Sequence, residues 1–126
     1  MNSQSAIPNK YSYQSESNWS KSEKAIARRA FDAALKRELQ EVMQKAKRMA
    51  NQCQDPADLW DLENYLKTRR TEIDRKYDYR YSQLTSVFGR LLSEKRLTEE
   101  DVRGLREDKL QAIRSFAKFL ADDTAA

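Results

Sequence analysis

Apolar residues recur at spacings of three and four through the first half of the chain. Phe31, Leu35, Leu39, Val42, Ala46 and Met49 form one stripe, the pattern of an amphipathic helix that needs a partner surface. Its start is marked by Ser20 and Glu23, whose spacing lets the serine side chain accept from the Glu23 amide while the carboxylate reaches back, a capping box. A second start follows at Asp55, with Pro56 in the first helical position and Asp58 and Asp61 near the positive end of the helix dipole. From there Leu59, Leu62, Leu66, Ile73, Tyr77, Leu84, Phe88 and Leu91 keep near-heptad spacing, with neither Pro nor Gly before Gly89. The pattern predicts one continuous helix, some 50 Å or more at about 1.5 Å per residue, longer than a small monomeric core covers on one face. Dimerisation is the natural way to bury it.

One short stretch competes. Tyr77, Tyr79 and Tyr81 alternate with Asp78 and Arg80, a period of two that a strand shares. Helical spacing on both sides outweighs it, and the tyrosines are expected to spread around a helix. Leu97 as a staple, Thr98 as N-cap and the acidic Glu99, Glu100 and Asp101 open a third helical region. Val102, Leu105, Leu110, Ile113, Phe116 and Leu120 supply its apolar face, with a break near Glu107 into two short helices. Residues 1–18, rich in Ser, Asn and Gln, have little to bury and read as a disordered tail. The expected organisation is a single helical domain over 19–121, with a long-helix body at 19–93, a helical head at 94–121 and a frayed end at 122–126.

Composition sharpens this picture. The chain has 126 residues, 35% of them charged, with only two Gly and two Pro, the bias of charged helices rather than of turn-rich sheets. Its net charge of +4 arises from 24 basic and 20 acidic residues, so the basic excess is small within a dense mixture of both signs. Basic residues outnumber acidic ones on the first helix, yet acidic residues interleave throughout and no groove-reading motif occurs, so nucleic acid is not expected as a partner. There is no histidine and a single cysteine, Cys53. Histidine triads, zinc sites and an intrachain disulfide are therefore not expected, and Cys53, without a resolving thiol, reads as incidental. No stretch approaches the roughly 18 apolar residues of a membrane span, and no basic start precedes an apolar run. The expectation is a soluble cytoplasmic protein that inserts in no membrane, holds no cofactor or metal and carries no catalytic site, since no Gly-rich phosphate loop and no paired carboxylates in an apolar setting are present.

Two features in residues 58–74 remain. Trp60 sits beside Leu59 and off the centre of the apolar stripe, either as a core-edge residue or as an interface anchor. Arg70, ten residues on, is close to three helical turns away, so Leu59, Trp60, Glu63 and Arg70 share one surface patch. Arg69 and Arg70 stand between Leu66 and Ile73 where an apolar residue would continue the register. A solvated face is the ordinary explanation, and the interruption weighs toward contact.

Taken together, WSKSE at 19–23, DLWDLENYLKTRRTEIDRKYDYRYS at 58–82, VFGRLL at 87–92 and EDKLQAI at 107–113 resemble the fluorescence recovery protein family of cyanobacteria and its relatives. The resemblance spans about residues 19–120 and is most specific in the segment from Asp58 to Asp78. It implies an all-α fold in which long antiparallel helices form a dimeric body that carries a small C-terminal helical head. It further implies a non-enzymatic regulator that binds photoactivated orange carotenoid protein, chiefly its C-terminal domain, and speeds its return to the orange resting form, restoring antenna fluorescence. In a cyanobacterium this places the protein in the cytoplasm at the thylakoid periphery. Trp60 and Arg70 match the family's patch for dimerisation and partner contact. Glu63 and Asn64 stand where the family pattern has His-Asp, and in the head Ser86 replaces an aromatic and Ala112 a lysine. Those departures keep a second reading open, a related helical dimer acting as an adaptor for a different protein.

Overall fold

The computed structural model describes residues 16–125, with side chains through Asp123. The tail expected at 1–18 therefore falls almost entirely outside the described residues. Among the described residues, the elements from Lys21 onward are α1 (Lys21–Asn51), α2 (Pro56–Lys76), α3 (Leu84–Ser93), a 3-10 turn at Glu100–Val102, and α4 (Glu107–Ala125). Among the described residues there is no strand, and the fold is all-α.

Both early helix starts form as their caps dictate. Glu23 donates its amide to Ser20 Oγ at 3.1 Å, and Ser20 donates to the Glu23 carboxylate at 3.1 Å. Asp55 and Asp58 repeat the arrangement at the start of α2, with Pro56 in the first turn. The 31 residues of α1 span about 46 Å, and α2 runs back along its second half as an antiparallel hairpin. Glu38 meets Arg69 and Lys76 near the α2 end, whereas Lys45 lies over the Tyr65 ring at 4.7 Å nearer the loop.

The long second helix is the principal correction. Helix α2 stops at Lys76 after 21 residues, about 31 Å, and does not continue to Leu91. Residues 77–81 are non-helical, and the alternation that competes with helical spacing there marks the rings of Tyr77, Tyr79 and Tyr81, which gather in one aromatic cluster. Tyr77 and Tyr79 pack edge-on against Phe31 at 5.4 and 4.9 Å, and Tyr81 meets Trp19 at 5.6 Å. A continuous helix would turn at least one of these rings to solvent, so aromatic burial overrides local helical spacing. Asp78 and Arg80, the alternate residues, pair with each other instead.

Smaller differences follow. The Thr98 cap forms, with Asp101 donating to Thr98 Oγ1 at 3.2 Å and Thr98 donating back at 2.9 Å, but it opens only the 3-10 turn. Positive φ at Gly104 then redirects the chain, and α4 runs as one 19-residue helix that reaches Ala125, past the point where fraying was expected. On α1 the buried row is Ala27, Ala30, Phe31, Ala34 and Glu38, whereas the bulkier Leu39 and Met43 are exposed. Helix α3 packs chiefly against α4 and so joins the head rather than the body expected to end at 93. Small alanines let this head approach closely, and Phe88, Leu84, Leu91, Leu97 and Ile113 pack around them as the core. Gly89 allows the same closeness between α3 and α4, because a Cβ there would lie 2.9 Å from the Phe116 side chain. The core thus sits at the head end of α1, and Ile73 is the one buried residue of α2.

Candidate functional site: the hairpin patch and the interhelical groove

On α2 the inward face is set by Ile73, Arg69 and Lys76, which leaves the opposite side of the helix to solvent. Leu59, Glu63, Leu66 and Arg70, at spacings of four, three and four, line one exposed stripe that borders the inward face, Leu66 lying two turns before Ile73, with Trp60 and Asn64 farther round on the side opposite it. Trp60 is 60% exposed and Leu59 49%, so the tryptophan is not an edge of the monomer core. Arg70 reaches toward Asp74 at 3.9 Å while its side chain stays 87% exposed. Adjacent Arg69 does the opposite and points inward onto Glu38. The twin arginine therefore divides its two residues between the interior and the surface.

Glu38 is the electrostatic centre of the molecule and escaped the sequence reading. It is 1% exposed, yet it accepts from Arg69, from Lys76 at 2.9 Å and from the Tyr77 hydroxyl at 2.8 Å, with Arg96 3.4 Å away. Burial pushes its carboxyl up, but the Lys76 and Tyr77 hydrogen bonds and the Arg96 charge outweigh that and hold it below the ordinary value. Burial and the bond to Glu38 push the Tyr77 hydroxyl up. Arg69 Nε lies 3.2 Å from Glu72, an ion-pair distance without hydrogen-bond alignment, which leaves this buried N–H without an acceptor among the described residues. One sequence signal for the hub existed: Glu38 falls four residues after Ala34 on the row that Ala27, Ala30 and Phe31 begin.

A second buried carboxylate joins head to body. Glu23, already the capping residue, accepts from the Arg106 amide at 2.8 Å and from Lys109 at 3.2 Å. Burial raises its carboxyl and the amides of Arg106 and Ser20 more than reverse this, so it too sits below its usual value. Lys109 also donates to the Asn18 carbonyl at 2.7 Å and lies 5.0 Å from the Trp19 ring centre, which ties residues 18 and 19 into the head.

Between the end of α2 and the head lies an open groove of about 650 Å³, with Glu38 in its wall and Ser86, Arg90 and Phe116 on the head side. Ser86 lines this groove, whereas Ala112 is exposed on α4 outside it. The structure thus places the expected contact residues in two regions, five on the exposed face of α2 and two on the head. Cys53 donates to the Met49 carbonyl at 3.2 Å in the hairpin loop. Among the described residues no cluster of potential metal ligands occurs, and no helix is long and apolar enough to cross a membrane.

Comparison with known proteins agrees with this architecture. The profile of a family described as photoprotection regulator fluorescence recovery protein matches residues 19–117. The fluorescence recovery protein of Synechocystis sp. strain PCC 6803 is 36% identical over 104 residues, covering 82% of this chain and 95% of its own length. The solved structure of the Fremyella diplosiphon fluorescence recovery protein superposes with a TM-score of 0.76 at 39% identity, covering 79% of this chain and 98% of the other. That of the Synechocystis protein gives the same score and coverage at 36% identity. On the match over residues 19–117 and the shared fold, the chain belongs to the fluorescence recovery protein family of photoprotection regulators.

Proposed function

We propose that this protein is a homodimer that binds photoactivated orange carotenoid protein through that protein's C-terminal domain and accelerates its return to the orange resting form, with no covalent step. The observation that carries the reading is the exposed stripe on α2. Leu59, Trp60 and Leu66 are large apolar residues left in water on a helix that buries a single residue of its own, beside the nearly free guanidinium of Arg70. Such a face is stable when a second hairpin covers it, and tryptophan with arginine is the composition of an interface hot spot. Acceleration requires more than binding. The dimer must hold the active state of its partner more tightly than the resting one, and hold the transition state for domain closure more tightly still.

The substitutions at Glu63, Asn64, Ser86 and Ala112 favour a second reading, in which the same dimer serves another protein. Asn64 presents a neutral amide where the family pattern carries a carboxylate, and Ser86 contributes no ring to the groove. Changing Trp60 and Arg70 together to Ala tests the patch itself. The double variant is expected to lose dimerisation or partner binding in analytical ultracentrifugation. Unaltered dimer and unaltered binding would remove the patch from the interface.

A further inference from the structure

The groove beside Glu38 has an unbalanced charge pattern. Its carboxylates are already answered from within: Glu38 by Arg69 and Lys76, Glu94 by Lys76 at 2.7 Å and by Arg96, and Asp78 by Arg80. Glu72 is held by Arg69. Arg75 and Arg90 also line the groove, both exposed, and their guanidiniums enter no ion pair among the described residues. Two planar, permanently charged donors are thus left over in a concave surface, where field lines converge and carboxylates bind in bidentate fashion. The space, about 650 Å³, is far larger than one small anion occupies and opens along its length. Its head-side wall includes Phe116, which stacks on the largely exposed Phe119 at 6.3 Å and so continues an apolar surface out of the groove.

We propose that this groove is a docking site for a carboxylate-rich segment of a protein partner, with Arg75 and Arg90 as its anion-binding groups and Phe116 and Phe119 receiving an apolar side chain of the same segment. The site is separate from the exposed stripe of α2 and does not depend on which protein supplies the segment. It also gives the head a contact surface that needs neither an aromatic at Ser86 nor a lysine at Ala112.

The test uses the isotopically labelled full chain and a short peptide, acetyl-Glu-Glu-Phe-Glu-Glu-amide, followed by amide chemical shifts at low salt. Shifts are expected at Arg75, Ser86, Val87 and Arg90, and the lysine counterpart of the peptide is expected to leave them unmoved. R75E/R90E alters two exposed side chains with no internal partner, so the spectrum of the free protein should remain that of the folded chain while the peptide binds about tenfold more weakly or worse. R75K/R90K, which keeps the charge, retains a measurable part of the binding. Shifts spread over the basic surface of α1, or groove shifts that survive charge reversal, would overturn the proposal. So would conversion of R75E/R90E to a monomer in sedimentation, which would give the groove to a second copy of the chain. No carotenoid protein enters the experiment, so its failure leaves the proposed function standing and the reverse also holds.

Discussion

At the scale of the residue, the molecule is organised by two carboxylates that hydropathy would send to the surface. Glu38 is surrounded by Arg69, Lys76, Tyr77 and Arg96, contributed by α2, the segment after it and the loop after α3. Replacing it with Gln removes the anion and strands buried cations, so Glu38→Gln is expected to lose about 3 kcal/mol of unfolding free energy in urea titration. Glu38 and Glu23 both titrate below their ordinary value of 4.5 in the folded chain. A carboxyl depressed in this way contributes stability that is complete above its unfolded pKa and is lost as pH falls through the folded one. Stability should therefore hold from neutrality to about pH 5 and decline below it, and the decline should be shallower in Glu38→Gln. Equal acid slopes in the two proteins would contradict this account of the hub. Its role was not legible from composition or hydrophobic spacing, because a charged residue in an apolar row reads as an interruption until its partners, 31 to 58 residues later in sequence, are in place.

At the scale of the element, what the sequence shows is what local chemistry decides. Both helix starts are legible, the first as a capping box and the second as an Asp55 cap followed by Pro56, because cap and capped amide are three residues apart and need no tertiary contact. The end of α2 is not legible in the same way, since it depends on Phe31 and Trp19 receiving three tyrosines from far along the chain. The α3 end offers a sharper test. Lys95 has φ +64° and sits one residue beyond the cap, while Arg96 donates to Leu91 at 2.9 Å and Lys95 to Leu92 at 3.1 Å, a Schellman closure that favours glycine. Lys95→Gly is expected to stabilise the protein by about 0.5–1 kcal/mol, read as a raised thermal midpoint. Gly89→Ala is expected to do the opposite, by about 1–3 kcal/mol, because the added methyl meets Phe116 where α3 and α4 touch. A neutral result at Gly89 would mean that α4 can shift freely against α3.

At the scale of the whole molecule, the core and the candidate contact surface occupy different ends. The head encloses the first half of α1, with Tyr77 and Tyr79 packed on Phe31 and Tyr81 on Trp19. The hairpin beyond Glu38 keeps Leu39, Met43, Leu59, Trp60 and Leu66 in solvent. Long-helix periodicity predicted more apolar surface than one chain covers; the helix behind that expectation ends at Lys76, and the exposed apolar residues are shared between α1 and α2 instead. Trp60→Ala should leave the head core intact, with unfolding monitored through the Trp19 environment nearly unchanged, while weakening self-association by about 2–4 kcal/mol in sedimentation equilibrium. Loss of head structure in that variant would join the two ends in a way the packing does not.

The most direct measurement of the central claim is the dark recovery of photoactivated orange carotenoid protein, followed by its red-to-orange absorbance change with and without this chain. Acceleration by substoichiometric chain, lost in the Trp60 variant, is the predicted result. An unchanged recovery rate with a stable dimer in the cuvette would contradict it.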